Sequence, residues 1–278
     1  MAIIELKEYT KKFRKFEAVK DLSFSVEAGE IVGFVGKNGA GKSTTLRGMV
    51  NMIFPTKGSI EILGMDSVKQ TKAIKKNLSY VPSEPSYPKN LRSMTLLKFC
   101  QKFTTTRLDE IQEMGRYFEL DLTKKIGDLS LGNLKKLALI QALLKKADVI
   151  LLDEPTSGLD PFMQKRFFEY LLQEKKRGAT IFLSSHNLSE IEKYCDRVAV
   201  IRDGELVEFL DMDKVQVHHK QMVTIRLKNG QEFFKEYEGD INALIANLAN
   251  MDIANLEIKN KTVEEEFISY YVPEGGNN

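Results

Sequence analysis

Apolar and polar residues alternate through residues 1–35, and the alternation predicts strands at 3–9, 22–26 and 31–35 with turns at 11–16 and 27–29. The last of these strands is apolar throughout, as a buried parallel strand is. After residue 44 the spacing can open a helix, and a turn at 55–58 leads to another short strand at 59–64. Residues 74–80 run into a loop at 81–85, where Pro82 and Pro85 forbid regular structure. From about 94 to 120 the apolar residues fall at three- and four-residue steps: Leu96, Leu97, Phe99, Cys100 and Phe103, then Leu108, Ile111, Met114 and Phe118. That is a helical insertion between strands.

A further helix follows Asn133, with Leu134, Leu137, Ala138, Ile140 and Leu144 on its apolar side. The unbroken apolar run 149–152 predicts a central parallel strand. A helix at 162–177 stopped by Gly178, a strand at 180–184, a helix at 188–195 and a hairpin turning on Asp203-Gly204 complete the pattern. Its character changes near residue 215. Strands at 222–227 and 232–237 flank Asn229-Gly230, a helix follows Asp240 over 241–249, and Thr262 with Glu265 forms a capping box for a last helix before a loose tail at 273–278. The expected division is a domain at 1–215, with a helical subdomain at about 84–147, and a small α+β appendage at 216–278.

Composition narrows the functional classes. With 41 basic and 39 acidic residues among 278 the net charge is +2, so the chain lacks the concentrated basic field of a nucleic-acid binder, and no nucleic-acid partner is expected. Two cysteines, Cys100 and Cys195, give neither a disulfide framework nor a zinc pattern and suit a reducing cytosol. His218 and His219 are adjacent, would face opposite sides of a strand, and read as solvated rather than metal-binding. The first residues meet charge too soon for a signal peptide, and no apolar run reaches the ~18 residues of a membrane span, so a membrane role requires a partner.

The chemistry starts at GKNGAGKST, residues Gly36, Lys37, Asn38, Gly39, Ala40, Gly41, Lys42, Ser43 and Thr44. A glycine loop between a buried strand and a helix turns its N–H groups inward and adds the helix's positive end, which makes a phosphate cradle. Lys42 would place its ammonium on the β- and γ-phosphates, and Ser43 would ligate Mg²⁺. Asp153 and Glu154 end the apolar strand, where ligands of open α/β sheets bind; Asp153 can hold Mg²⁺ and Glu154 can polarise the attacking water. His186 arrives at the same edge from the next strand. Phe13 and Phe16 lie upstream of the cradle, where an aromatic face could stack on adenine or simply pack in the core. Ser130 and Gly132 stand at a helix N-terminus that could meet an anion or serve only as a cap.

Together these residues resemble the ATP-binding subunit of an ABC transporter across about residues 2–215. GKNGAGKST resembles the family's Walker A motif, LSLGN at 129–133 its signature, VILLDEP at 149–155 its Walker B motif, SGLD at 157–160 its D-loop and His186 its switch histidine. Phe13 falls where the family places its adenine-stacking aromatic. The resemblance implies a P-loop NTPase of α/β class: a mixed sheet core, an antiparallel β subdomain, a helical subdomain and the C-terminal appendage. It implies ATP and Mg²⁺ as ligands, with Glu154, His186 and Lys42 catalytic and Asp160 beside the nucleotide. It also implies a second copy, paired head to tail so that Ser130 and Gly132 act in trans, and a transmembrane permease on the cytoplasmic face of the membrane. Two positions depart from the family pattern. Ser83 occupies the place of the Q-loop glutamine, a possible metal contact, with Glu84 or a water to compensate. The signature carries Leu131 and Asn133. With the sequence ending, these departures resemble exporter-type subunits of bacterial ABC-2 transporters. The alternatives are a soluble ABC ATPase of assembly or repair and an ATP-gated scaffold with little hydrolysis.

Overall fold

The computed structural model describes residues 2–217, 221–237, 239–249 and 251–260, so His218, His219 and the capping box expected at Thr262 and Glu265 lie outside the described residues. The chain divides into two units, Met1–Phe209 and Leu210–Asn278.

In chain order the first unit contains β1 (Ala2–Phe13), β2 (Phe16–Glu27), β3 (Ile31–Val35), α1 (Lys42–Met49), β4 (Lys57–Ile62), β5 (Met65–Asp66), α2 (Thr71–Ile74), β6 (Leu78–Val81), α3 (Ser93–Gln101), α4 (Leu108–Tyr117), α5 (Leu131–Leu143), β7 (Val149–Asp153), α6 (Pro161–Lys176), β8 (Thr180–Ser185), α7 (Leu188–Tyr194), β9 (Arg197–Arg202) and all but the last two residues of β10 (Glu205–Asp211). Six strands form the central sheet in the order β10-β9-β3-β8-β7-β6, and β2-β1-β4-β5 form a second, antiparallel sheet. β3, β7 and β8 are buried along their whole length and run parallel to one another. Both faces of these strands are covered, here by helices and by the second sheet, which is why they carry no polar alternation. Aromatic rings join the two sheets: Phe24 of β2 lies 6.1 Å from Phe34 of β3 and 5.8 Å from Phe182 of β8, centre to centre.

The first hairpin is longer than its sequence suggests. β1 and β2 each run 12 residues, and the turn is only Arg14 and Lys15, with Phe13 paired to Phe16 as the last rung of the ladder. Arg14 adopts φ 55°, which lets the two-residue turn close without a glycine. The expected turn at 11–16 is therefore confined to residues 14 and 15, with 11–13 and 16 in strand.

The second unit holds α8 (Met212–Val217), β11 (Gln221–Leu227), β12 (Glu232–Tyr237), α9 (Ile241–Leu248) and β13 (Ile253–Asn260). The Asn229-Gly230 turn joins β11 to β12 with Gly230 at φ 87°, and Asp240 caps α9 by accepting from the Asn242 N–H. The unpredicted β13 completes a sheet of order β12-β11-β13, whose core gathers Val223, Ile225, Leu244 and Leu248.

Candidate functional site

β3 delivers the glycine loop, and the loop's shape follows from what a side chain would strike. A Cβ at Gly36 would lie 2.5 Å from the Ile201 carbonyl oxygen, and one at Gly41 would lie 2.6 Å from that of Ala18. Gly41 also takes φ 109° as the N-terminal cap residue of α1, a conformation that costs other residues free energy. Lys42 is buried, and its ammonium donates to the carbonyl oxygens of Gly36 at 2.5 Å and Lys37 at 3.3 Å. The loop thus fixes its own lysine before any ligand arrives.

β7 and β8 supply the acidic side. Asp153 is fully buried; its Oδ1 accepts from Ser43 Oγ at 3.0 Å and Ser184 Oγ at 2.8 Å, while its Oδ2 has no partner. An orphaned carboxylate oxygen beside a serine hydroxyl at a phosphate loop is a donor set of hard oxygens, and it fits Mg²⁺. Among the described residues there is no cluster of three His, Cys, Asp or Glu, so phosphate oxygens and water would complete the coordination.

Glu154 follows at φ 47°, left-handed for a residue with a Cβ, and its N–H donates to Ser184 Oγ at 2.9 Å. Such a backbone costs on the order of 1–3 kcal/mol and persists where surrounding structure enforces it. The turn aims the carboxylate between Lys42 and His186: Oε1 is 3.4 Å from Lys42 Nζ and Oε2 is 2.7 Å from His186 Nδ1. Ser43, Asp153, Ser184, Glu154, Lys42 and His186 form one connected network.

A cavity of about 430 Å³ opens over this network, lined among others by Lys37, Lys42, Ser43, Thr44, Ser83 and Glu154. Phe16 and Ala18 line it as well, and Phe13 does not. Phe16 is 65% exposed and free to take a planar ligand, whereas the Phe13 ring lies under Lys11 Nζ at 5.0 Å. The two residues are ladder partners at the end of the hairpin, and only Phe16 reaches the cavity lining.

Ser130, Gly132 and Asp160 do not line the cavity of their own chain. Ser130 caps α5, accepting from the Asn133 N–H at 3.3 Å, and Asp160 caps α6, accepting from the Met163 N–H at 3.0 Å. Gly132 abuts Gly158, where a Cβ would lie 2.7 Å from the carbonyl oxygen, and Leu131 beside it is 85% exposed.

Two buried groups escaped the sequence. Lys135, on the first turns of α5, is 3% exposed, and burial lowers its pKa to about 8 against the pull of Asp153, Glu154 and Glu84. Glu190 on α7 is buried with its pKa raised chiefly by desolvation; its Oε2 accepts from Thr156 Oγ1 at 3.0 Å and Ser185 Oγ at 3.4 Å. Charged residues on a surface helix ordinarily face solvent, so spacing gave no signal for either.

Comparison with known proteins adds four likenesses to this geometry. A family model described as ABC transporter matches residues 19–157. The bacitracin transport ATP-binding protein BcrA of Bacillus licheniformis is 34% identical over 232 residues, covering 82% of this chain and 76% of that protein. The probable multidrug ABC transporter ATP-binding protein YbhF of Escherichia coli is 35% identical over 211 residues, covering 74% of this chain and 36% of that one. Among solved structures, the ATP binding subunit of an ABC transporter superposes with a TM-score of 0.71 at 27% identity, covering 77% of this chain and 92% of its own.

Proposed function

This chain belongs to the ABC transporter ATP-binding family, and from that premise we propose that it hydrolyses ATP at the Lys42–Glu154–His186 network to drive transport, in the export direction, through a separate membrane protein. The observation that carries the reading is the placement of Glu154 between Lys42 and His186 in the wall of the cavity that the glycine loop lines.

Lys42 and the loop N–H groups bind the β- and γ-phosphates, and Phe16 offers its ring to the adenine. Ser43 and the free Oδ2 of Asp153 would hold Mg²⁺, which when bound neutralises charge on the phosphate oxygens. Glu154 accepts a proton from the attacking water, and His186 orients that carboxylate while facing the γ-phosphate. Because Ser130, Gly132 and Asp160 stand away from their own chain's cavity, a second copy docked head to tail brings them to it. The γ-phosphate then bridges two copies and favours the closed pair, the differential affinity a ligand-driven switch requires.

Among the described residues no helix is long and apolar enough to cross a membrane, so the transport path belongs to the partner, with this chain on the inner face of the membrane. A groove of about 940 Å³ supplies a docking face: Lys72, Lys75, Lys76 and Lys145 line it together with Phe103, which is 74% exposed. An acidic, amphipathic segment of the membrane protein matches that chemistry. Transport of an antibiotic or other drug, as named for BcrA and YbhF, is the corresponding cargo class. Phosphate release from ATP by the purified chain tests the reading: Lys42→Ala should abolish both nucleotide binding and release, and a wild-type chain that releases no phosphate contradicts it.

A further inference from the structure

Ser83 lines the nucleotide cavity with a side chain that ends at its γ oxygen. So short a group cannot search for its target; what it touches is decided by where the backbone stands. That backbone is held from behind. Lys135 Nζ donates to the carbonyl oxygen of Ser83 at 2.7 Å and to that of Pro82 at 3.2 Å. Further along α5, the Ala142 carbonyl accepts from Ser79 Oγ at 2.8 Å, and Gln141 Oε1 accepts from Tyr87 OH at 2.6 Å. The helix is therefore fastened on both sides of the Ser83 loop.

Packing alone does not account for a lysine here. Burying an ammonium against neutral carbonyls costs free energy that an apolar side chain of the same length would not incur. What the ammonium adds is a directed grip on two consecutive carbonyls of a proline-containing loop whose N–H donors are few. We infer that Lys135 is a positioning residue of the nucleotide site: it fixes the Pro82–Ser83 backbone to α5, so that the Ser130 end of that helix and the Ser83 wall of the cavity move as one piece. A ligand drawn to the N-terminus of α5 would be felt at Ser83 through this contact.

The inference rests on the proposed ATPase reading, and its test separates the two. In Lys135→Met the volume is kept and the grip lost. Amide hydrogen exchange of the nucleotide-free, full-length protein should rise at residues 83–84 while 137–143 stay protected. This readout needs no nucleotide. In turnover, kcat should fall about tenfold with KM for ATP within about twofold, the signature of misplacement rather than lost binding. Combined with Ser83→Ala, the same substitution should change kcat by less than about twofold, because two changes acting through one group are not additive. Lys135→Gln, a second variant, should behave like Lys135→Met. Unchanged exchange at 83–84, or an equal loss of kcat in the wild-type and Ser83→Ala backgrounds, overturns the inference. Raised exchange in a protein whose wild type does not hydrolyse ATP upholds the grip and contradicts the ATPase reading instead.

Discussion

His186 Nδ1 and Glu154 Oε2 lie 2.7 Å apart, joined across two neighbouring strands of the central sheet. The contact depends on the left-handed backbone of Glu154, which swings its carboxylate out of line with β7. Glu154→Gln keeps that shape and removes the base. ATP affinity should stay within about threefold of wild type while phosphate release falls about 10²-fold or more. Binding by nucleotide fluorescence and release in a single turnover check the two halves. Release at the wild-type rate would mean that another group activates the water.

The exchange of Phe13 for Phe16 at the cavity predicts a difference between two neighbouring substitutions. Phe16→Ala should weaken ATP binding about tenfold, the worth of one lost base-stacking contact. Phe13→Ala should leave it within about twofold, since its ring serves Lys11. Equal losses in a titration of the two variants would contradict the assignment.

Much of this site was legible because its chemistry is local. The glycine loop is one continuous segment, and Asp153 and Glu154 sit at the end of an apolar run whose burial could be read directly. What could not be read depends on distant partners. Phe13 and Phe16 face each other across a two-residue turn, and which of them lines the cavity depends on the glycine loop, Ser83 and Glu154 that the fold brings there from far along the chain. β13 carries Leu256 and Ile258 between polar neighbours, too weak an alternation to name a strand until β11 lies beside it. Lys135 reads as solvent-facing on an amphipathic helix, and only the loop after β6 explains its burial.

Asp153 combines full burial with one unpartnered carboxylate oxygen. Asp153→Ala should leave the fold in place but raise the Mg²⁺ concentration needed for half-maximal ATPase activity by at least about tenfold, the scale on which a direct ligand matters. An unchanged Mg²⁺ titration would move the metal elsewhere.

Glu190 carries a pH prediction. Its folded pKa is raised above 4.5, chiefly by burial, with the Thr156 and Ser185 hydroxyls opposing. The folded state therefore keeps a proton that the unfolded chain gives up, and stability is lost as pH rises from 4.5 through the raised value. Glu190→Gln removes the titration. Its melting temperature should exceed that of wild type near neutral pH, and the advantage should shrink as pH falls toward 4.5. A difference independent of pH would contradict a buried, titrating carboxyl.

The account turns on a nucleotide site that one chain begins and a second completes. Sedimentation of full-length Glu154→Gln with and without ATP and Mg²⁺ tests this most directly. A monomer without nucleotide that becomes a dimer with ATP, and stays a monomer when Ser130→Phe blocks the α5 terminus, is the predicted result. A chain that binds ATP to saturation and remains monomeric would contradict it.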